Sequence, residues 1–155
     1  MREFVEVSPE MTLLMGDGPI ASAPLPAEPI VLTFTTEAAT PVVAFSSFDG
    51  ATPDGMVLLV ARDAFERIGG AAEEVGAFHL PSDLRTIAYA IRDSALTGEA
   101  LKVYRLAKSI ELLCETIRLQ NSGALVALAG ECTLSLDDAR RIAAARRMID
   151  ERSNE

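Results

Sequence analysis

The spacing of apolar positions changes period along this 155-residue chain: it alternates like strands up to residue 60 and repeats like helices after residue 82. In residues 3–7, Val5 and Val7 share one face with Glu6 opposite, as on a half-buried strand. Phe4 falls on the Glu6 side, so the alternation is imperfect. A short apolar run over 12–15 stops at Gly16-Asp17-Gly18, a turn signal. Pro19, Pro24, Pro26 and Pro29 make 19–29 a loop or extended crossing, since proline donates nothing to a ladder. Residues 30–36 are β-branched around Phe34 and read as a strand. Pro41 starts another over 42–45. Asp49-Gly50 and Asp54-Gly55 punctuate the next loop, and 56–60 is an apolar run suited to burial on both faces. The pattern predicts about five short strands in an antiparallel meander.

The later pattern is helical. Residues 62–68 form a short helix ended by Gly69-Gly70, and 71–81 read as a loop or frayed turn. Pro81-Ser82 opens the next helix with Ser82 as N-cap. Leu84, Ile87, Ala88 and Ile91 follow i, i+3, i+4, i+7 and define one apolar face. Thr97 caps a longer helix over about 98–119. Its apolar positions Leu101, Tyr104, Leu106, Ala107, Ile110, Leu113, Cys114 and Ile117 cover more than one narrow stripe. Such a helix is covered twice, by the sheet and by another helix or a second subunit. Asn121-Ser122-Gly123 breaks the pattern, and 124–129 reads as a loop or short helix. Ser135 with Asp138 three residues on makes a capping-box-like start. A closing helix follows to about residue 151, with Ile142, Ala145 and Ile149 on one face and Arg146, Arg147 and Arg152 at its end, where the dipole favours cations.

These elements predict an α+β fold in one domain, 1–155. A small antiparallel β region at about 2–61 packs on a helical region at about 82–152. The composition, 49% hydrophobic and 24% charged, is that of a globular protein. The net charge of −9 argues against this chain holding nucleic acid alone, because neutralising phosphates takes clustered Lys and Arg. No basic segment precedes an apolar run as in a secretion signal. No apolar run approaches the roughly 18 residues that span a bilayer. The expectation is a cytoplasmic protein with no membrane partner.

The residues for catalysis are missing. A Gly-x-Ser-x-Gly elbow, a Gly-x-Gly-x-x-Gly loop and a phosphate-binding loop are all absent, so no catalytic residue is assigned and the chain is read as a non-enzyme. A cupin metal site needs several histidines and a carboxylate around one cation, whereas His79 is the only histidine and reads as a surface or helix-flanking residue. No metal and no cofactor is expected. Cys114 and Cys132 have no zinc-type spacing. Cys114, mid-helix, reads as a small buried hydrophobe, and a disulfide is disfavoured in a reducing compartment. Asp49 and Asp54 lack the ligand run of a calcium loop and read as turns. Arg140, Arg141, Arg146 and Arg147, flanked by acids, read as a solvated helix face.

Three local matches carry a family resemblance. Leu96-Thr97-Gly98 links two helices. The second helix then carries Tyr104, Ala107-Lys108 and Glu111-Leu112-Leu113, similar to an "LTG…LYLEAKALELL" run, and the closing helix over 134–152 looks like a linker helix. Over about 84–152 the chain resembles the sensing and dimerisation region of AraC-type bacterial transcription regulators, in particular their siderophore-responsive branch. The resemblance implies a cupin-like, or degenerate, β region that binds a small-molecule effector, a helical dimerisation region that makes a homodimer, and DNA contacted only through a helix-turn-helix domain that such regulators carry after this region; this chain stops at Glu155 before any such segment.

The candidate residues for dimerisation, or for holding the helix in place, are Leu101, Tyr104, Lys108, Glu111, Leu113 and Ile117. Lys108 and Glu111 are spaced to form an i, i+3 ion pair. Tyr104, one turn earlier, suits core packing with its hydroxyl at the edge. The ligand-binding residues are unassigned. The mostly apolar and hydroxyl side chains of 19–36 favour a neutral or apolar effector. The alternatives are a stand-alone protein that antagonises such regulators by forming mixed dimers, and a small cupin-like ligand carrier.

Overall fold

The computed structural model describes residues 2–18, 25–50 and 53–128. The chain divides into two compact units, Met1–Leu125 and Val126–Glu155, and the architecture below is that of the first. The expected closing helix over 134–152, with its arginines, and Cys132 lie outside the described residues, as does most of the proline-rich segment.

In chain order the elements are β1 (Glu3–Ser8), β2 (Met11–Met15), β3 (Pro29–Thr35), β4 (Val42–Ser47), β5 (Met56–Ala61), α1 (Arg62–Arg67), β6 (Gly76–His79), α2 (Ser82–Arg92) and α3 (Gly98–Ser122). This is the predicted α+β class: an antiparallel β region followed by helices. The strand order is β1-β2-β5-β3-β4-β6, and every pairing is antiparallel. The expected meander is corrected by β5, which leaves sequence order to lie between β2 and β3. The reason is burial. Every residue of β5 is buried, and only a central strand can hide an unbroken apolar run on both faces.

The two faces of the sheet divide the apolar residues by parity. Met11, Leu13 and Met15 of β2, Ile30, Leu32 and Phe34 of β3, Val43 and Phe45 of β4, and Met56, Leu58 and Val60 of β5 belong to the main core. Leu14, Val31, Val57 and Leu59 form a second, smaller cluster with Phe48 beside it. The helices complete the main core. Leu84, Ile87, Ala88 and Ile91 of α2 are its buried residues, the four that the i, i+3, i+4, i+7 spacing selects. From α3 come Leu112, Leu113, Ile117 and Leu119.

Strand β6 falls where a loop or frayed turn is expected. Gly-Ala-Phe-His has no alternation to announce it. It becomes a strand by pairing with β4, Val43 opposite Phe78 and Phe45 opposite Gly76, while the Phe78 ring meets Phe45 edge-on at 5.7 Å between centroids. Two helix starts also refine the pattern. Pro81, at φ −64°, is the N-cap of α2 and Ser82 is its first helical residue; the fixed proline φ preforms the entry. Thr97 occupies the N-cap position of α3 without a side-chain capping hydrogen bond, and the helix runs on to Ser122, where Gly123 in the left-handed region at φ 74° ends it.

The end of α3 also fastens the loop after α1. Gln120 Oε1 accepts the Ala71 N–H at 3.1 Å, and Asn121 Nδ2 donates to the Gly69 carbonyl at 3.0 Å. Among the described residues no helix is long and apolar enough to cross a membrane.

Candidate functional site

Antiparallel register brings four strand ends to one end of the sheet. Glu3 at the start of β1 lies opposite Met15 at the end of β2. Phe34, near the end of β3, lies opposite Met56 at the start of β5. These ends, with the turns that leave them, line a cavity of about 420 Å³ whose remaining wall is Arg92 from the end of α2 and Arg105 from α3. Its size is that of a small-molecule site. The buried Met15, Phe34 and Met56 give it an apolar lining, and its other lining residues include Glu3, Asp17, Glu37 and Asp54.

The two arginines tie the helices to the sheet. Arg105 Nη1 lies 2.8 Å from Glu3 Oε1, and its Nε donates to the Ile91 carbonyl at 3.1 Å. Arg92 Nη1 donates to Glu37 Oε2 at 2.7 Å and to Thr36 Oγ1 at 3.1 Å, while its Nε and Nη2 grip both oxygens of Asp93. The Arg92 guanidinium also lies over the Tyr89 ring, 4.8 Å from its centroid. Hydrogen bonding to Asp93, helped by the charges of Asp93 and Glu37, raises the Arg92 pKa above its ordinary value. The same contact holds Asp93 below its own.

The turn before β5 also lines the cavity. Gly55 N–H donates to the Gly16 carbonyl at 2.9 Å, and Asp54 Oδ1 accepts the Gly18 N–H at 3.3 Å. Arg2 donates to the carbonyls of Pro53 and Gly55 behind this turn. Burial lowers the Arg2 pKa, opposed by the charges of Asp54 and Asp17.

A second feature lies on α3. Val103, Ala107, Ile110 and Cys114, spaced i, i+4, i+7, i+11, are all exposed; Val103 keeps 60% of its surface accessible and Ile110 49%. This row is opposite the helix face formed by Ser109, Leu112 and Thr116, which is fully buried. The expected buried Cys114 is therefore corrected: it is an exposed, free thiol. At 100° per residue it falls on the Val103 row, away from the sheet.

The six candidate residues separate by depth. Leu113 and Ile117 belong to the main core. Leu101, Tyr104 and Lys108 are half-buried and Glu111 is exposed. Lys108 and Glu111 form the expected ion pair at 2.9 Å, which raises the Lys108 pKa, and Lys108 Nζ lies 5.8 Å from the Tyr104 ring centroid. His79 is exposed at the end of β6. Among the described residues no group of three or more His, Cys, Asp or Glu side chains is placed to hold a metal.

Glu3, Glu37, Arg92 and Arg105 are missing from the sequence-derived candidates. None of them carries a local signal in the sequence: Arg105 lies near the buried Ser109 side of α3, but helix periodicity alone does not say which side that is. Comparisons with family models, with curated proteins and with solved structures each returned no match.

Proposed function

We propose that this chain is the effector-sensing and dimerisation region of a bacterial transcription regulator of the AraC type, acting in the cytoplasm by binding rather than by catalysis. The exposed apolar row of α3 carries the reading. A helix that serves only its own core is polar on the opposite side, but α3 presents Val103, Ala107, Ile110 and Cys114 there. Their 4-3-4 spacing is that of a helix seam. A second copy of the chain, offering the same row, is the partner, because a two-fold interface uses one patch twice.

The cavity supplies the sensing half. Arg105 stands in its wall, while Val103 and Ala107, two residues to either side, are on the outer row. An effector that moves Arg105 therefore acts on the helix that pairs the subunits, and it shifts the dimer by as much as its affinities for the two arrangements differ. DNA would be reached through a separate helix-turn-helix domain.

Light scattering tests the proposal. The wild-type chain is expected at twice its 16.5 kDa mass, and Ile110→Glu is expected to be a folded monomer with unchanged far-ultraviolet circular dichroism. A wild type that stays monomeric at high concentration overturns the reading.

A further inference from the structure

The ion pairs at the cavity mouth are unequal in a way that identifies what can replace them. Arg105 is the anchored cation: its side chain is 14% exposed and is held from behind by the Ile91 carbonyl. Arg92, 35% exposed, is paired with its chain neighbour Asp93, itself 59% exposed, and donates to Thr36 Oγ1. Their acidic partners are the solvated ones, with the Glu3 side chain 60% and Glu37 77% exposed. Solvated ion pairs are weak, typically about 0–1 kcal/mol. The cavity thus offers one anchored cation, Arg105, and a second, Arg92, whose acidic partners are solvated and exchangeable, next to an apolar lining of Met15, Phe34 and Met56.

We infer that the cavity takes a small organic monocarboxylate with an apolar body, whose carboxylate displaces Glu3 and Glu37 from Arg105 and Arg92. The inference rests on the cavity being the effector site. Guanidinium forks match carboxylate geometry, and methionine and phenylalanine side chains suit an aromatic or aliphatic body. Asp17 and Asp54, which also line the cavity, repel negative charge, so a ligand with a single carboxylate is favoured over dianions such as phosphate esters. Exchange also has a mechanical result. Glu3–Arg105 ties β1 to α3, and Glu37–Arg92 ties the segment after β3 to α2, so a bound carboxylate removes these two ties while the apolar contacts of both helices with the sheet remain.

The test is amide chemical-shift titration of the whole chain with phenylacetate, beside its neutral and cationic counterparts 2-phenylethanol and phenethylammonium. Phenylacetate is expected to bind tightest and to shift amides around Gly16, Thr36 and Gly55. Glu3→Gln and Glu37→Gln should each tighten it, by up to about fivefold, since the competing anion is gone. Arg92→Gln should weaken it by about tenfold, the scale of one charge-assisted hydrogen bond. Arg105→Lys, which keeps the charge and loses the fork, should weaken it less.

Tightest binding by phenethylammonium, equal binding of phenylacetate and 2-phenylethanol, or weaker phenylacetate binding in the Glu→Gln variants overturns the inference. In those cases amide shifts at the cavity would still leave it as the effector site. Absence of phenylacetate binding at millimolar concentration also overturns the inference, while a dimer dissociated by Ile110→Glu would still support the dimerising helix.

Discussion

At the scale of single residues, two positions outside both candidate features are constrained by their surroundings. Gly70 follows α1, and a Cβ there would stand 2.4–2.7 Å from carbons of the Phe65 ring. Phe65 is fully buried, so the ring cannot swing aside without disturbing the core. Gly70→Ala is expected to destabilise the fold by about 1–3 kcal/mol, the usual cost of overpacking, read from urea unfolding. Glu74, in the same loop, has its pKa raised by burial, with its hydrogen bond to Gln120 pulling the other way. A carboxyl whose folded pKa exceeds its unfolded value holds more protons when native, so stability falls as pH rises from the ordinary value through the raised one. Glu74→Gln removes this titration. The variant's unfolding free energy should gain on the wild type's as pH climbs from about the ordinary 4.5 to neutrality, and a gap that does not vary with pH would contradict this account.

At the scale of the element, α3 has two apolar sides with different tasks. Leu112, Leu113 and Ile117 face the core; Val103, Ala107, Ile110 and Cys114 face outward. A charge therefore has opposite consequences on the two sides. Leu113→Glu places an unpaired carboxylate at a 5% exposed core position and should abolish cooperative unfolding at neutral pH. Ile110→Glu should keep the unfolding transition and lose only the dimer. Comparing melting curves and molar masses for the pair separates folding from association, which neither variant does alone. The periodicity of α3 announces that it has two stripes. It does not say which stripe meets the sheet, because both repeat every three or four residues and both are apolar.

At the scale of the molecule, the cavity mouth joins parts of the chain that are distant in sequence. Glu3 and Arg105 are 102 positions apart, Glu37 and Arg92 55 apart. A double-mutant cycle on Glu3→Gln and Arg105→Gln is expected to give a coupling of about 0.2–1 kcal/mol that shrinks as salt is raised from 0.05 to 1 M, since the Glu3 side chain is solvated and screened. A salt-independent coupling would mean that the pair is held away from water and cannot be exchanged by a ligand.

The line between sequence and tertiary structure follows the range of the interactions. Local order could be read directly: the 3.6-residue spacing of Leu84, Ile87, Ala88 and Ile91, the unbroken apolar run of β5, the Thr97 start and the Gly123 stop all depend on neighbours within a few residues. The α+β class follows from that order alone. What depends on partners far along the chain could not be read. Strand β6 exists because β4 and Phe45 are there to receive Gly-Ala-Phe-His. The place of β5 was set by its neighbours across the sheet, and the exposure of Cys114 by which stripe of α3 the sheet took. Lys108–Glu111 lies within one helical turn and was legible; Glu3–Arg105 and Glu37–Arg92 become neighbours only once antiparallel register has brought four strand ends and two helices to the same end of the sheet.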